Sequence, residues 1–80
     1  MEWGIVIGAN VRRLRKEIRM SQEHLALNAE IDLRYLGGIE RGQQNPSVAV
    51  LGRLAEALGV HPRDFFDESV SDSSAETESD

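Results

Sequence analysis

The chain has no cysteine, which excludes a disulfide framework and a thiolate zinc site as the staple of so short a protein. Aromatic residues are scarce: Trp3, Tyr35, Phe65 and Phe66 are all there are. The core must therefore close on aliphatic side chains, and 80 residues allow only a thin one, with help from a partner subunit if needed. No apolar run approaches the ~20 residues that span a bilayer. Met1-Glu2 opens the chain and the arginines follow the first apolar stretch, the reverse of a secretory signal. These absences read as a soluble, cytoplasmic protein of one small domain. Positive charge is also in deficit, with nine Lys and Arg against 14 Asp and Glu for a net −5, a balance that looks unsuited to nucleic acid.

That average conceals a partition. Asp67, Glu68, Asp72, Glu76, Glu78 and Asp80 all follow Phe66, whereas every basic residue precedes it, leaving residues 1–66 at +1. Such asymmetry divides the chain into an ordered body, 1–66, and an acidic tail, 67–80. The tail has almost nothing to bury, so it is expected to be disordered and to act as a solvated terminus or as a screen against non-specific DNA. Within the body, Arg12, Arg13, Arg15, Lys16 and Arg19 crowd into eight positions, so the acidic total does not exclude DNA.

The body reads as helices throughout. Ile7, Val11, Leu14 and Ile18 recur at i, i+4, i+7 and i+11, one stripe of a helix from about Trp3 to Arg19 with the basic residues on its other faces. Ser21 is a good N-cap for a second helix with Leu25, Ala26 and Ala29 inward, though His24 stands where a capping-box glutamate belongs. Asp32 can cap a third helix running to Arg41, with Gly42 suited to a left-handed terminus. Ser47 caps a fourth, whose inner face is Val48, Leu51, Leu54, Ala55 and Leu58 and which Gly59 stops. His61-Pro62 opens a short last helix carrying Phe65 and Phe66. No segment alternates as a half-buried strand does. The fold class is all-α: five short helices in a compact domain.

The connection between the second and third helices is too short for them to lie antiparallel, so they must cross steeply. That is the helix-turn-helix plan, in which the second helix of the pair enters the major groove. Spacing of this kind recurs in many helical proteins and is weak by itself. The residues are more specific. Met20-Ser21-Gln22-Glu23-His24-Leu25-Ala26, then Ile31-Asp32-Leu33-Arg34-Tyr35-Leu36-Gly37-Gly38-Ile39-Glu40-Arg41-Gly42, resemble the Cro/C1-type (XRE-family) helix-turn-helix. The likeness continues through Asn45-Pro46-Ser47 and Leu51 to Val60, covering roughly Ile7 to Phe66. Within that family, the size and the Asp32-to-Gly42 stretch are similar to restriction–modification controller proteins, although stand-alone repressors share these features.

The resemblance implies a lambda-repressor-like domain that binds operator DNA as a homodimer, a transcriptional regulator with repressor or activator action left open. Leu33, Arg34, Gly37 and Gly38 are implied base contacts, Arg34 through two hydrogen bonds to guanine O6 and N7. Gln22 and Tyr35 are implied phosphate contacts, joined by Arg41, Gln43, Gln44 and Asn45 of the following loop. Glu40 cannot serve phosphate and should pair with an arginine, Arg15 being the first candidate. Leu58, Val60 and Phe66 are the candidate dimer contact, with Phe65 mostly inside. Two departures from the family stand out. Glu30 occupies a turn position often held by glycine, where the backbone needs positive φ. Gly37 and Gly38 replace larger residues and leave either a bare helix surface or a close packing contact.

Other function classes fare worse. His24 and His61 lack metal-ligand spacing, and no His-Glu-x-x-His occurs. Gly37, Gly38 and Gly42 come with neither a phosphate-loop lysine nor a preceding strand. No cofactor, metal, membrane contact, small-molecule ligand or catalysis is expected. The surviving alternative is a protein-interaction module, an antitoxin or scaffold built on the same fold.

Overall fold

The computed structural model describes residues 2–69. It contains α1 (Trp3–Glu17), α2 (Gln22–Ala29), α3 (Leu33–Glu40) and α4 (Val48–Leu58), closed by a 3-10 turn at Pro62–Phe66. Among the described residues there is no strand. The fifth helix expected from sequence is thus a single 3-10 turn. His61 and Asp64 form a capping box around it, Arg63 N donating to His61 Nδ1 at 3.0 Å and His61 N to Asp64 Oδ2 at 3.3 Å. Five residues, capped at the N-terminal end in this way, make a short 3-10 piece rather than an α-helix. Of the tail expected to be disordered, 67–80, residues 70–80 lie outside the described residues, whereas Asp67 to Ser69 are described, Ser69 N and Oγ donating to Asp67 Oδ1 at 3.1 and 2.7 Å.

The three caps named from sequence are all in place. Ser21 Oγ accepts from His24 N at 3.0 Å, Asp32 Oδ1 from Arg34 N at 2.7 Å, and Ser47 Oγ from Val50 N at 3.1 Å. The helix ends follow one rule. At each, a residue in the left-handed region, Arg19 (φ 56), Glu30 (φ 59), Gly42 (φ 78) or Gly59 (φ 73), reverses the chain. The next amide then bonds back five residues: Met20 N to Arg15 O, Ile31 N to Ala26 O, Gln43 N to Gly38 O and Val60 N to Ala55 O, at 2.9–3.1 Å. These are Schellman closures, which satisfy carbonyls that a helix end otherwise leaves unpaired. Glycine takes the strain out of two of them; arginine and glutamate bear it at the others. Glu30→Gly is therefore expected to stabilise the domain by about 1 kcal/mol, raising Tm by roughly 4–8 °C. Glu30→Ala, which keeps the Cβ, should bring no such gain in the same thermal melt.

The core is aliphatic, as required. Val11, Leu25, Ala29, Leu36, Ile39 and Leu54 are fully buried around Phe65. Helix α1 lies across α3 and the 3-10 turn, and its buried side differs from the stripe read from sequence. Ile18 is half exposed because the helix ends at Glu17 and Ile18 is already its C-cap. Arg15, assigned to an outer face, is instead buried. The contact line toward α3 runs through glycine. A Cβ on Gly8 would fall on the Ile39 carbonyl oxygen and 3.0 Å from that of Glu40. A Cβ on Gly4 would lie 3.2 Å from Asn45 Oδ1 and 3.3 Å from the Gln44 carbonyl oxygen. Toward the 3-10 turn, Asn10 is fully buried. Its Nδ2 donates to the carbonyls of Val6 (3.0 Å), Phe65 (2.9 Å) and Asp67 (3.0 Å), while its Oδ1 accepts from Arg13 Nη2. One amide thus ties the 3-10 turn to α1.

Candidate nucleic-acid interface

The turn between α2 and α3 is held from both sides. Glu30 reverses the chain after α2, and Asp32 opens α3 two residues later. From α4, Arg53 Nε donates to the Ala29 carbonyl at 2.9 Å and so occupies the end of α2. Across the pair runs a buried network. Arg15 Nε donates to Glu40 Oε2 at 2.7 Å and Nη2 to Oε1 at 3.0 Å, a bidentate ion pair with side chains 11% and 3% exposed. Arg15 Nη1 also donates to the Met20 carbonyl at 2.8 Å, and Gln22 Nε2 donates to Glu40 Oε1 at 2.9 Å. The pairing of Glu40 with Arg15 is as expected. It sets the start of α2, the end of α3 and the end of α1 in one fixed relation.

That arrangement leaves the first turn of α3 outward. Leu33 is 41% exposed, an unusual apolar residue on this surface. Arg34 is exposed, and its guanidinium makes no hydrogen bond or ion pair to any described residue. Part of the basic cluster is engaged internally: Arg15 with Glu40, and Arg13 with Glu17 at 2.9 Å. Arg34 thus places an unengaged cation at the head of α3.

Gln22 sits at the first position of α2 with one Nε2 hydrogen committed to Glu40, leaving the second. Tyr35 is half-buried and packs against the core. Arg41, Gln43, Gln44 and Asn45 are exposed, with Arg41 Nε donating to Gln43 Oε1 at 3.2 Å. Gly37 and Gly38 do not present bare surface. Both are buried, Gly37 under the Arg41 guanidinium and Gly38 under the Gln44 side chain. The packing partner is neither a neighbouring helix nor solvent but the loop that follows α3.

Among the candidate dimer residues, Leu58 is only 6% exposed and belongs to the domain's own core, so it has little to offer a partner. Val60 is half-buried against the same core, the apolar residue that accompanies the closure of α4. Phe65 is buried and Phe66 is 41% exposed, as expected. Phe66 meets Trp3 edge to face, ring centroids 5.6 Å apart, and Trp3 is itself 43% exposed. Sequence reasoning missed Trp3, Gly4, Gly8, Asn10 and Arg53. Two glycines four apart inside an otherwise unbroken helical pattern were the available signal for the first contact line.

Among the described residues, no cluster of His, Asp or Glu could hold a metal ion, and no helix is long and apolar enough to cross a membrane. Residues 11–65 match the family model described as Helix-turn-helix. An uncharacterized HTH-type transcriptional regulator, y4dJ of Sinorhizobium fredii, is 40% identical over 60 residues, 75% of this chain and 78% of that protein. The control protein C.BamHI of Bacillus amyloliquefaciens is 38% identical over 64 residues, 79% of each chain. Among solved structures, the restriction-modification controller protein C.AhdI from Aeromonas hydrophila superposes with a TM-score of 0.76 at 41% identity, over 79% of this chain and 96% of that one. Matched to the capped helix pair and the Arg15–Glu40 network, these likenesses place the chain in the helix-turn-helix family, in its XRE type of DNA-binding transcriptional regulators.

Proposed function

We propose that the protein is a sequence-specific regulator that binds operator DNA as a homodimer, with α3 of each subunit in the major groove. The observation that carries this reading is the outward first turn of α3, with Leu33 beside an Arg34 guanidinium that no described residue engages. An arginine left free at a helix head can place two donors against guanine O6 and N7, while an exposed leucine suits a thymine methyl. Gln22, with an unused Nε2 hydrogen, Tyr35, Arg41, Gln43 and Asn45 supply phosphate contacts, which fix register without carrying sequence. The exposed Trp3–Phe66 pair supplies apolar surface for the second subunit. One eight-residue helix touches too few bases for useful specificity, and a two-fold pair of half-sites is the usual answer. The similarity to control proteins supports a role regulating restriction–modification genes.

Arg34→Ala tests the assignment. Losing a bidentate base contact should cost about 1–3 kcal/mol on the operator and relax discrimination at one base pair. Binding to scrambled duplex should fall only by the effect of one lost charge. Fluorescence anisotropy with both duplexes at several salt concentrations gives the ratio. An unchanged ratio would place α3 in another orientation.

A further inference from the structure

Gly38 lies one turn after Arg34 and so shares its side of α3. The position has no side chain of its own, yet it is buried, because another residue's side chain lies along it. A Cβ built there would stand 2.9 Å from Gln44 Cγ, 3.4 Å from Nε2 and 3.7 Å from Cδ. Contact from Cγ through to the amide means that Gln44 lies flat across the helix rather than projecting from the loop. Its backbone is pinned behind it. The closure at Gly42 brings Gln43 N back to the Gly38 carbonyl at 2.9 Å, and the Gln44 carbonyl faces Gly4 of α1. Gln44 is nonetheless exposed, and its amide makes no hydrogen bond to any described residue. The neighbouring Arg41, which covers Gly37, differs in being tied by its Nε to Gln43.

We propose that Gln44 is a base-reading residue. The loop delivers to the groove face of α3 the side chain that Gly38 does not carry, and Gly38 is glycine so that Gln44 can lie there. A carboxamide offers one donor and one acceptor side by side, the pattern that matches adenine N6 and N7 in the major groove. The inference rests on α3 being the groove helix, and it moves Gln44 from the phosphate contacts expected of its loop to the base contacts.

The test uses the full chain and a panel of duplexes in which each base pair of its selected site is substituted in turn. The wild type should prefer one A·T pair per half-site by roughly 5- to 150-fold through this contact. Gln44→Ala should abolish that preference alone. Gln44→Arg should move it to G·C, since an arginine there meets guanine O6 and N7. Gly38→Ala should abolish the same preference by lifting Gln44 off the helix, while Tm holds or rises, alanine being the better helix former. Gln44→Ala weakening every duplex by one factor, or Gln44→Arg and Gly38→Ala both leaving all base preferences in place, would overturn the proposal. The wild type failing to discriminate at any position would overturn the groove reading itself, and that result is separate because it involves no variant.

Discussion

Glu40→Ala should be among the most damaging single substitutions in the chain, costing about 3–5 kcal/mol. That is the usual consequence of leaving one member of a buried ion pair without its partner. Arg15 would keep its charge with only the Met20 carbonyl to satisfy it, and a small domain holds only about 5–15 kcal/mol in all. Gln22 would lose the acceptor that orients its amide, so DNA affinity should fall further than unfolding alone explains. Urea denaturation followed by circular dichroism reads the first effect. Replacing both partners together, Arg15→Met with Glu40→Leu, should recover most of the stability, because apolar side chains of similar volume do not leave a stranded charge. An unfolding free energy for Glu40→Ala within about 0.5 kcal/mol of wild type, the range of ordinary surface changes, would show that the network is incidental to the fold.

Gly8→Ala should be nearly as severe for a different reason. Alanine is the better helix former by up to about 1 kcal/mol, and on propensity alone the change would stabilise α1. The new Cβ, however, lands on the Ile39 carbonyl oxygen and 3.1 Å from the carbonyl carbon of Glu40. These are backbone atoms at the end of α3, so no rotamer change relieves the overlap and α1 has to withdraw. Overpacking of this kind costs about 1–3 kcal/mol, and the rigid neighbour puts Gly8 at the upper end, net of propensity. Gly52→Ala is the matched control. Gly52 lies mid-helix in α4, is exposed, and has nothing within 4 Å of its Cβ position. It should therefore gain roughly the 0.5–1 kcal/mol that glycine forfeits in a helix. Opposite signs for the two substitutions in one set of thermal melts are the expected result.

What could be read from the sequence was chemistry that acts over a few residues. Ser21, Asp32 and Ser47 cap helices because their side chains reach an amide two or three positions on. Glu30 adopts positive φ because the turn geometry there is local. The Arg15–Glu40 pair was also legible, since a carboxylate at the end of α3 that cannot serve phosphate needs a cation to hold it. What failed depended on contacts distant along the chain. Ile18 fits the helical stripe but falls past a helix end set by Arg19, whose left-handed backbone nothing in its side chain announces. Asn10 reads as a polar interruption until the Phe65 and Asp67 carbonyls, some 55 residues away, arrive to use its amide. Gly37 and Gly38 look bare until the loop folds back and lays Arg41 and Gln44 on them. Leu58 carries no mark that distinguishes a core leucine from an interface one.

In the proposed complex, two copies of this domain read DNA in register, each through the exposed head of α3. Selection of duplexes from a random pool by the full chain, followed by sequencing, tests it most directly. The expected result is enrichment of an inverted repeat whose half-site centres lie about one helical turn, roughly 10–10.5 base pairs, apart. Affinity for that site should exceed affinity for random duplex by about 10³-fold or more at the same salt. A pool that stays random after repeated rounds, or that converges on a single unrepeated half-site, would contradict it.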